Sequence, residues 1–389
     1  MKNTILIGLS VLIFSCSNPN KIEERVIDLL VAPESEVTKI SEIATKIEYI
    51  PLQTSQNCLI PYIMDVQKNK QKFFIRTNKS EILCFNNKGQ YLFKLSNSGR
   101  GPEEYTYIYD FDVMDDNIML VLTRNRLLFF NVTDSAFKYF KTLNFKIEPG
   151  YVDISPDQKH MLLSYGSTSG NEPYRNVLIN MDGDTIMKIP NGYNYSKNTK
   201  LTFAATFENI NYKSDNLLHF KFWLNDTIFT LNSDNQITSY LILDSKGKQT
   251  STETLANMSS IQELANSLQV NSILETSRYL FYRFYYETGN YRIYDKITKK
   301  IFSITIKPKN QTKWLTDDLT GGVDIEPKFC IDGNIYSWAD AMILKNHVAN
   351  TGFKNSSIKF PEKKEALQKL TDSLDETDNP VLIIVTPKK

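Results

Sequence analysis

One phrase recurs along this chain: an apolar run, a turn opened by Asn or Asp, and a second apolar run. It is written as ILCFNNKGQYLFKL (82–95), LLFFNVTDSAFKYF (127–140), VLINMDGDTIMKI (177–189), IFTLNSDNQITSYLIL (228–243) and YRIYDKITKKIFSITI (291–306). The turn openers are Asn86, Asn131, Asn180, Asn232 and Asp295, spaced 45, 49, 52 and 63 residues apart. Alternating side chains around an Asn- or Gly-containing turn predict a β-hairpin. Each hairpin has another before it, in KNKQKFFI (68–75), DDNIMLVL (115–122), PDQKHMLLS (156–164) and SDNLLHFKFW (214–223). Four strands in roughly 40–50 residues is the period of a β-propeller blade. One such sheet cannot bury both of its faces, whereas a radial array of them can.

Five units fall between residues 62 and 306, and a sixth opens at EPKFCIDGNIYSWA (326–339) without a partner hairpin. Two unassigned strand-like segments lie at the chain ends: KIEYIPL (46–52) and the uniformly apolar VLIIV (381–385). The reading is therefore an all-β, six-bladed β-propeller of four-stranded antiparallel blades over residues 43–389, closed by the chain termini. The 21 Tyr and 22 Phe agree, since aromatic residues favour strands. Two short inserted helices are expected, from Leu255, Met258, Ile261, Leu264 and Leu268 and from Leu367, Leu370 and Leu374.

The start of the chain carries an address. Lys2 precedes an apolar stretch of ten residues, 5–14, half of what a spanning helix needs, so residues 1–15 read as a signal peptide. Ile13-Phe14-Ser15-Cys16 resembles the lipobox of bacterial lipoproteins, in which the cysteine becomes the acylated first residue. Residues 16–42 are expected to hold the lipidated Cys16 and a tether, and SNPNKIEE (17–24) is polar as a tether should be. Ser17 after the cysteine resembles the sorting signal for the outer membrane, with the periplasmic or surface face left open. A net charge of +1 gives no field to attract nucleic acid. With Cys16 acylated, Cys58, Cys84 and Cys330 allow at most one intramolecular disulfide.

Gly99-Arg100-Gly101-Pro102-Glu103-Glu104-Tyr105 resembles the Gly-x-Gly-Pro-x-Glu-Tyr signature of six-bladed β-propeller lipoproteins of Gram-negative gut anaerobes. KIEYIPLQT (46–54), DDLTGGVDIEP (317–327) and DETDNPVLIIVTPKK (375–389) resemble that family's opening strand, late Asp-x-x-Gly-Gly loop and Asp-Asn-Pro-Val-Leu ending. The resemblance spans residues 46–389. It implies a propeller related to NHL and TolB-like rings and implies no particular activity.

Catalytic signatures are scarce. Gly99-x-Gly101 lacks the third glycine and the helix of a dinucleotide fingerprint. Gly166 to Gly170 centres on Thr168, so it is no nucleophile elbow. His160, His219 and His347 fall in separate units and read as structural. Carboxylates offer more: Asp65, Asp112, Asp153 and Asp324 each sit between two apolar residues in one repeated phrase. At the start of innermost strands they could form a ring for Ca²⁺ or Mg²⁺, because hard cations take oxygen ligands. The competing reading has each Asp bonding backbone N–H groups of the next blade, and it is preferred. Arg100, Glu103, Glu104, Tyr105, Asp317 and Asp318 are candidate binding-loop residues. The expectation is a lipid-anchored module with no catalytic residues and no cofactor beyond such a cation. Its partner would be an exported peptide, a glycan or an envelope protein. The alternative is a metal-dependent hydrolase or lyase built on the Asp ring.

Overall fold

The computed structural model describes residues 25–166, 170–199, 201, 208–304, 306–307, 311–312 and 314–389. These form six four-stranded antiparallel sheets arranged as a six-bladed β-propeller. Blade 1 runs outward through Ile63–Asn69, Lys72–Thr77, Ile82–Asn86 and Tyr91–Leu95. Blades 2 to 5 repeat this order, with innermost strands Asp110–Val113, Tyr151–Ile154, Asn209–Ser214 and Gln269–Glu275. All five expected outer hairpins are present. Three of the turn-opening asparagines act through their side chains, while in the turn after Asn131 the Thr133 hydroxyl accepts from the Ala136 N–H (3.0 Å). Oδ1 of Asn86 accepts from the N–H of Lys88 (2.9 Å) and Gln90 (3.0 Å), Asn180 does the same two and four residues on, and so does Asn232. Each Asn thus replaces a backbone partner and pins the register of its hairpin.

Blade 6 is built from both chain ends, as expected. Phe329–Ile331 and Asn334–Ala339 are its inner strands, Val381–Pro387 is the third, and Ala44–Pro51 lies outermost. The C-terminal strand is thus hydrogen-bonded on both edges, and Val381, Leu382, Ile383 and Val385 are fully buried. Asn379, just before it, is almost fully buried. Its Oδ1 accepts from the Ile60 N–H (2.8 Å), while Nδ2 donates to the carbonyls of Gln53 (2.8 Å) and Cys58 (2.7 Å). The Asp-Asn-Pro segment is therefore a latch that holds the passage from blade 6 into blade 1.

Apolar clusters fill the inter-blade spaces, such as Phe74, Cys84 and Phe93 of blade 1 against Phe111, Met119 and Phe130 of blade 2. Cys58, Cys84 and Cys330 are all free thiols. Because the innermost strands run the same way, their starts define one face, the loop face. The short turns after the first and third strands define the opposite, turn face.

Two expectations need correction. The segment 25–42, read as tether, belongs to the folded unit. Arg25–Asp28 adds in parallel to the outermost strand of blade 4, and Ser35–Glu36 to that of blade 5. Ile27, Leu29, Val37 and Ile40 are buried there, so this stretch covers two strand edges. The helices also differ. The first expected one divides into an α-helix, Thr252–Asn257, and a 3-10 helix, Ile261–Asn266, because Ser260 caps a new start. The second, Pro361–Asp372, is preceded by two that were not expected, Ala341–Ala349 and Thr351–Asn355. The signal peptide, Cys16 and Thr168 lie outside the described residues.

Burying the side chains of Val381 to Val385 contributes on the order of 10 kcal/mol before ordering entropy is subtracted. Deleting residues 380–389 is therefore expected to destabilise the whole ring; an unchanged melting temperature would disprove closure by this strand. Asn379→Ala leaves three buried backbone groups unpaired and should lower stability by roughly 2–4 kcal/mol in denaturant titration.

Candidate functional site

Three of the four aspartates in the repeated phrase meet in the central channel. Asp65, Asp112 and Asp153 each occupy the third position of an innermost strand, in blades 1, 2 and 3. Asp110, two residues before Asp112, joins them. Of the four aspartates in the phrase only Asp112 bonds the neighbouring blade's backbone, accepting from the Ile154 N–H (2.8 Å), so the preferred reading holds for that one alone; Asp110, outside the phrase, accepts likewise from the Val152 N–H (2.9 Å). Asp65 instead accepts from the next N–H in its own strand, Val66 (2.7 Å). Asp153 accepts from the Asn211 side-chain amide of blade 4 (2.6 Å).

The fourth aspartate does not belong to this group. Asp324 is exposed and lies in the connection before blade 6, five residues ahead of its innermost strand. The cation at the centre is the chain's own: Lys213, from the innermost strand of blade 4, pairs with Asp112. Among the described residues no group of three His, Cys, Asp or Glu side chains is placed to hold a metal ion. What stands in the channel is an ammonium–carboxylate cluster, in which blades 1 to 3 supply aspartates and blade 4 a lysine.

Burial sets the electrostatics of this cluster. It pushes Asp65 up to about 6, opposed by Arg76 and by the Val66 N–H bond. It also pushes Asp153 to about 6, with Lys213 pulling down and Asp112 pushing up. Asp110 is held well above the usual carboxylate range by burial, then by Asp153 and Asp65. Burial alone would weaken the Lys213 ammonium, but Asp112, Asp153 and Asp110 outweigh it and the net shift is upward. Lys213 keeps 42% of its side chain accessible, so solvent reaches the middle of the channel. Above the carboxylates, on the loop face, three exposed tyrosines lead into the innermost strands of blades 1 and 2. They are Tyr62, Tyr107 and Tyr109, the last two in an edge-to-face pair with centroids 5.2 Å apart.

The candidate loop residues divide by role. Tyr105 is buried, and its hydroxyl accepts from the Asn97 N–H (3.3 Å). Glu104 accepts from the Gly101 N–H (2.7 Å), which closes the Gly-Pro turn on itself. Arg126 of blade 2 binds the same loop from outside, donating to the carbonyls of Gly101 (3.1 Å) and Glu104 (2.5 Å). Arg100 and Glu103 remain exposed. Asp317 is buried and accepts from the N–H groups of Leu319, Thr320 and Gly322, the Thr320 hydroxyl, and the Tyr49 hydroxyl (2.9 Å). A Cβ on Gly322 would collide with that tyrosine oxygen, which explains a glycine there. Asp318 holds the N–H (3.0 Å) and hydroxyl (2.6 Å) of Ser41. The two aspartates thus fasten the N-terminal segment to the loop before blade 6. His160 and His347 are structural as expected, bonded to Asp157 and to the Gly321 carbonyl (2.9 Å).

Residues 24–386 match the family described as Domain of unknown function (DUF4934), and the chain belongs to it. No curated protein sequence matches the chain. A crystal structure of a Bacteroides fragilis protein described as exported is similar at 19% identity and a TM-score of 0.70, covering 94% of this chain and all of that one. A member of the DUF4221 family from Bacteroides vulgatus is similar at 12% identity and a TM-score of 0.51, covering 89% and 97% of the two chains. At these identities the likeness establishes the fold.

The raised carboxyl pKa values have a sign. Between about pH 4 and 6 the folded protein holds protons on Asp65 and Asp153 that the unfolded chain has released, so their contribution to stability falls as pH rises. Asp65→Asn removes the buried charge and keeps an acceptor for Val66. It should raise stability by about 1–3 kcal/mol at pH 7.5 and change little at pH 4. An equal effect at both pH values in thermal denaturation would exclude a buried charge at this position.

Proposed function

We propose that this DUF4934 propeller is an exported, lipid-anchored binding module that captures cationic groups at the loop-face mouth of its channel without transforming them. The observation that carries this reading is a charge imbalance. Four buried or half-buried carboxylates, Asp65, Asp110, Asp112 and Asp153, face two cations, Lys213 and Arg76. Lys213 is committed to Asp112, and Asp153 and Asp65 raise the proton affinity of Asp110. An entering ammonium or guanidinium would relieve that repulsion, and the tyrosines at the mouth present faces that attract the same cations. A peptide bearing Lys or Arg meets these requirements better than a neutral glycan. Among the described residues no group of three His, Cys, Asp or Glu side chains supports the metal-dependent hydrolase alternative.

Export and anchoring rest on separate support. Residues 1–16 resemble a lipoprotein signal ending in Cys16, and the similar Bacteroides fragilis protein is described as exported. No helix among the described residues is long and apolar enough to cross a membrane. Two or more acyl chains at ~0.8 kcal/mol per buried CH₂ hold a protein stably at a bilayer.

Two measurements decide these points. In titration calorimetry a tri-lysine peptide should bind and maltotriose should not, and Asp110→Asn with Asp153→Asn should weaken the peptide by on the order of tenfold or more. Tighter binding of the neutral sugar would transfer the site to glycans and end the cation reading. Cys16→Ser should move the protein from the membrane to the soluble fraction; a wild-type chain with unmodified Cys16 by mass spectrometry would remove the anchor.

A further inference from the structure

A second polar site opens on the turn face, between blades 4 and 5, in a cavity of about 370 Å³. Its inner end is closed by Glu275 of blade 5, which is almost fully buried. Both carboxylate oxygens are occupied, by the hydroxyls of Tyr212 (2.9 Å) and Tyr240 (2.5 Å) and by the Lys296 ammonium (2.6 Å). This part is an inter-blade latch with its charge balanced.

The remaining lining is not spent in that way. His219 is 1% exposed, stacks on Tyr212 at 4.9 Å and lies 4.4 Å from the Tyr240 ring, and pairs through Nδ1 with the Thr230 hydroxyl (2.7 Å). Its Nε2 has no hydrogen-bond partner among the described residues, although the ring lines the cavity. Burial pushes its pKa down to about 4, so it offers a neutral hydrogen-bonding edge rather than a charge. At the rim stand Arg25 and Asp215. Neither makes an ion pair with the other or with any other described residue. Leu217 and the exposed Ile297 supply apolar wall between them.

We infer that this cleft binds a small zwitterion of the α-amino acid class. Arg25 takes the carboxylate, Asp215 the ammonium, and the side chain lies over Leu217 and Ile297 toward the open edge of His219. With Glu275 and Lys296 neutralising each other, a simple anion would still meet Asp215 and a simple cation would still meet Arg25. Only a ligand carrying both charges satisfies the rim without leaving one of them opposed. The volume lies within the range usual for small-molecule sites. This inference is independent of the channel reading, because no residue is shared between the two sites.

The test is titration calorimetry of the intact protein with L-leucine, L-phenylalanine and L-glutamine, each beside its N-acetyl and methyl-ester derivatives. At least one free amino acid should bind saturably, and blocking either its ammonium or its carboxylate should weaken it by on the order of tenfold or more. Arg25→Gln and Asp215→Asn, both at exposed positions that leave the fold intact, should each reproduce that loss, while Asp153→Asn in the channel should leave binding unchanged. No saturable binding by any of the three up to about 10 mM, or binding that survives blocking both charges, overturns the inference. Loss caused by Asp153→Asn but not by Asp215→Asn would assign the ligand to the channel and overturn it equally.

Discussion

Everything in this molecule depends on the antiparallel pairing of Val381–Pro387 with Ala44–Pro51, two segments from opposite ends of the chain. A blade buries its faces only against its neighbours, so an open array of six would leave two sheets half exposed. Closing it also brings innermost strands from distant parts of the sequence around one axis. Asp65, Asp112, Asp153 and Lys213 share the channel only because the ring is shut. The latch formed by Asn379 supports this closure where the chain turns from blade 6 into blade 1, with three hydrogen bonds to backbone groups that packing would otherwise leave buried and unpaired.

Closure explains why the channel can hold charge that stability alone would not select. The apolar clusters lie between the blades, away from the axis, so the channel is free to carry polar groups without opening the core. Asp112 is matched by Lys213 and by two backbone N–H groups, and this part resembles an ordinary structural ion pair. Asp65, Asp110 and Asp153 are not matched to the same degree, and burial drives their proton affinities upward. A core optimised for stability alone would replace such groups with apolar ones, since buried charge without a full set of partners is costly. Groups held at such a cost to stability are the physical ground of the proposed recognition role.

The architecture was legible in the sequence because its signals are local. Period-two alternation and Asn-opened turns repeat within each unit, and the apolar run at 381–385 needed a partner that only the other chain end could provide. The site was legible only in part. The phrase containing Asp65, Asp112 and Asp153 marks innermost strands correctly, but the same phrase at Asp324 precedes its strand by five residues, and sequence spacing carries no record of that offset. Lys213 was missed because blade 4 breaks the phrase, presenting Asn-Ile-Asn-Tyr-Lys-Ser in place of an aspartate. Arg126 was missed because its role, bracing the Gly-Pro loop, is exerted across more than twenty residues. The family-like motifs at 99–105, 317–327 and 375–389 were visible as motifs, and the structure gives most of their residues mechanical work: turn closure, loop fastening and ring latching.

The two polar sites occupy opposite ends of the propeller for a topological reason. Innermost strands begin on the loop face, so the aspartates near their starts and the tyrosines that lead into them gather there. The cleft between blades 4 and 5 draws instead on Asp215 and Lys296, which sit in short turns on the opposite face, and on Glu275 at the far end of an innermost strand. Arg25 joins them from the strand that adds in parallel to the outermost strand of blade 4, where it lies opposite Leu241.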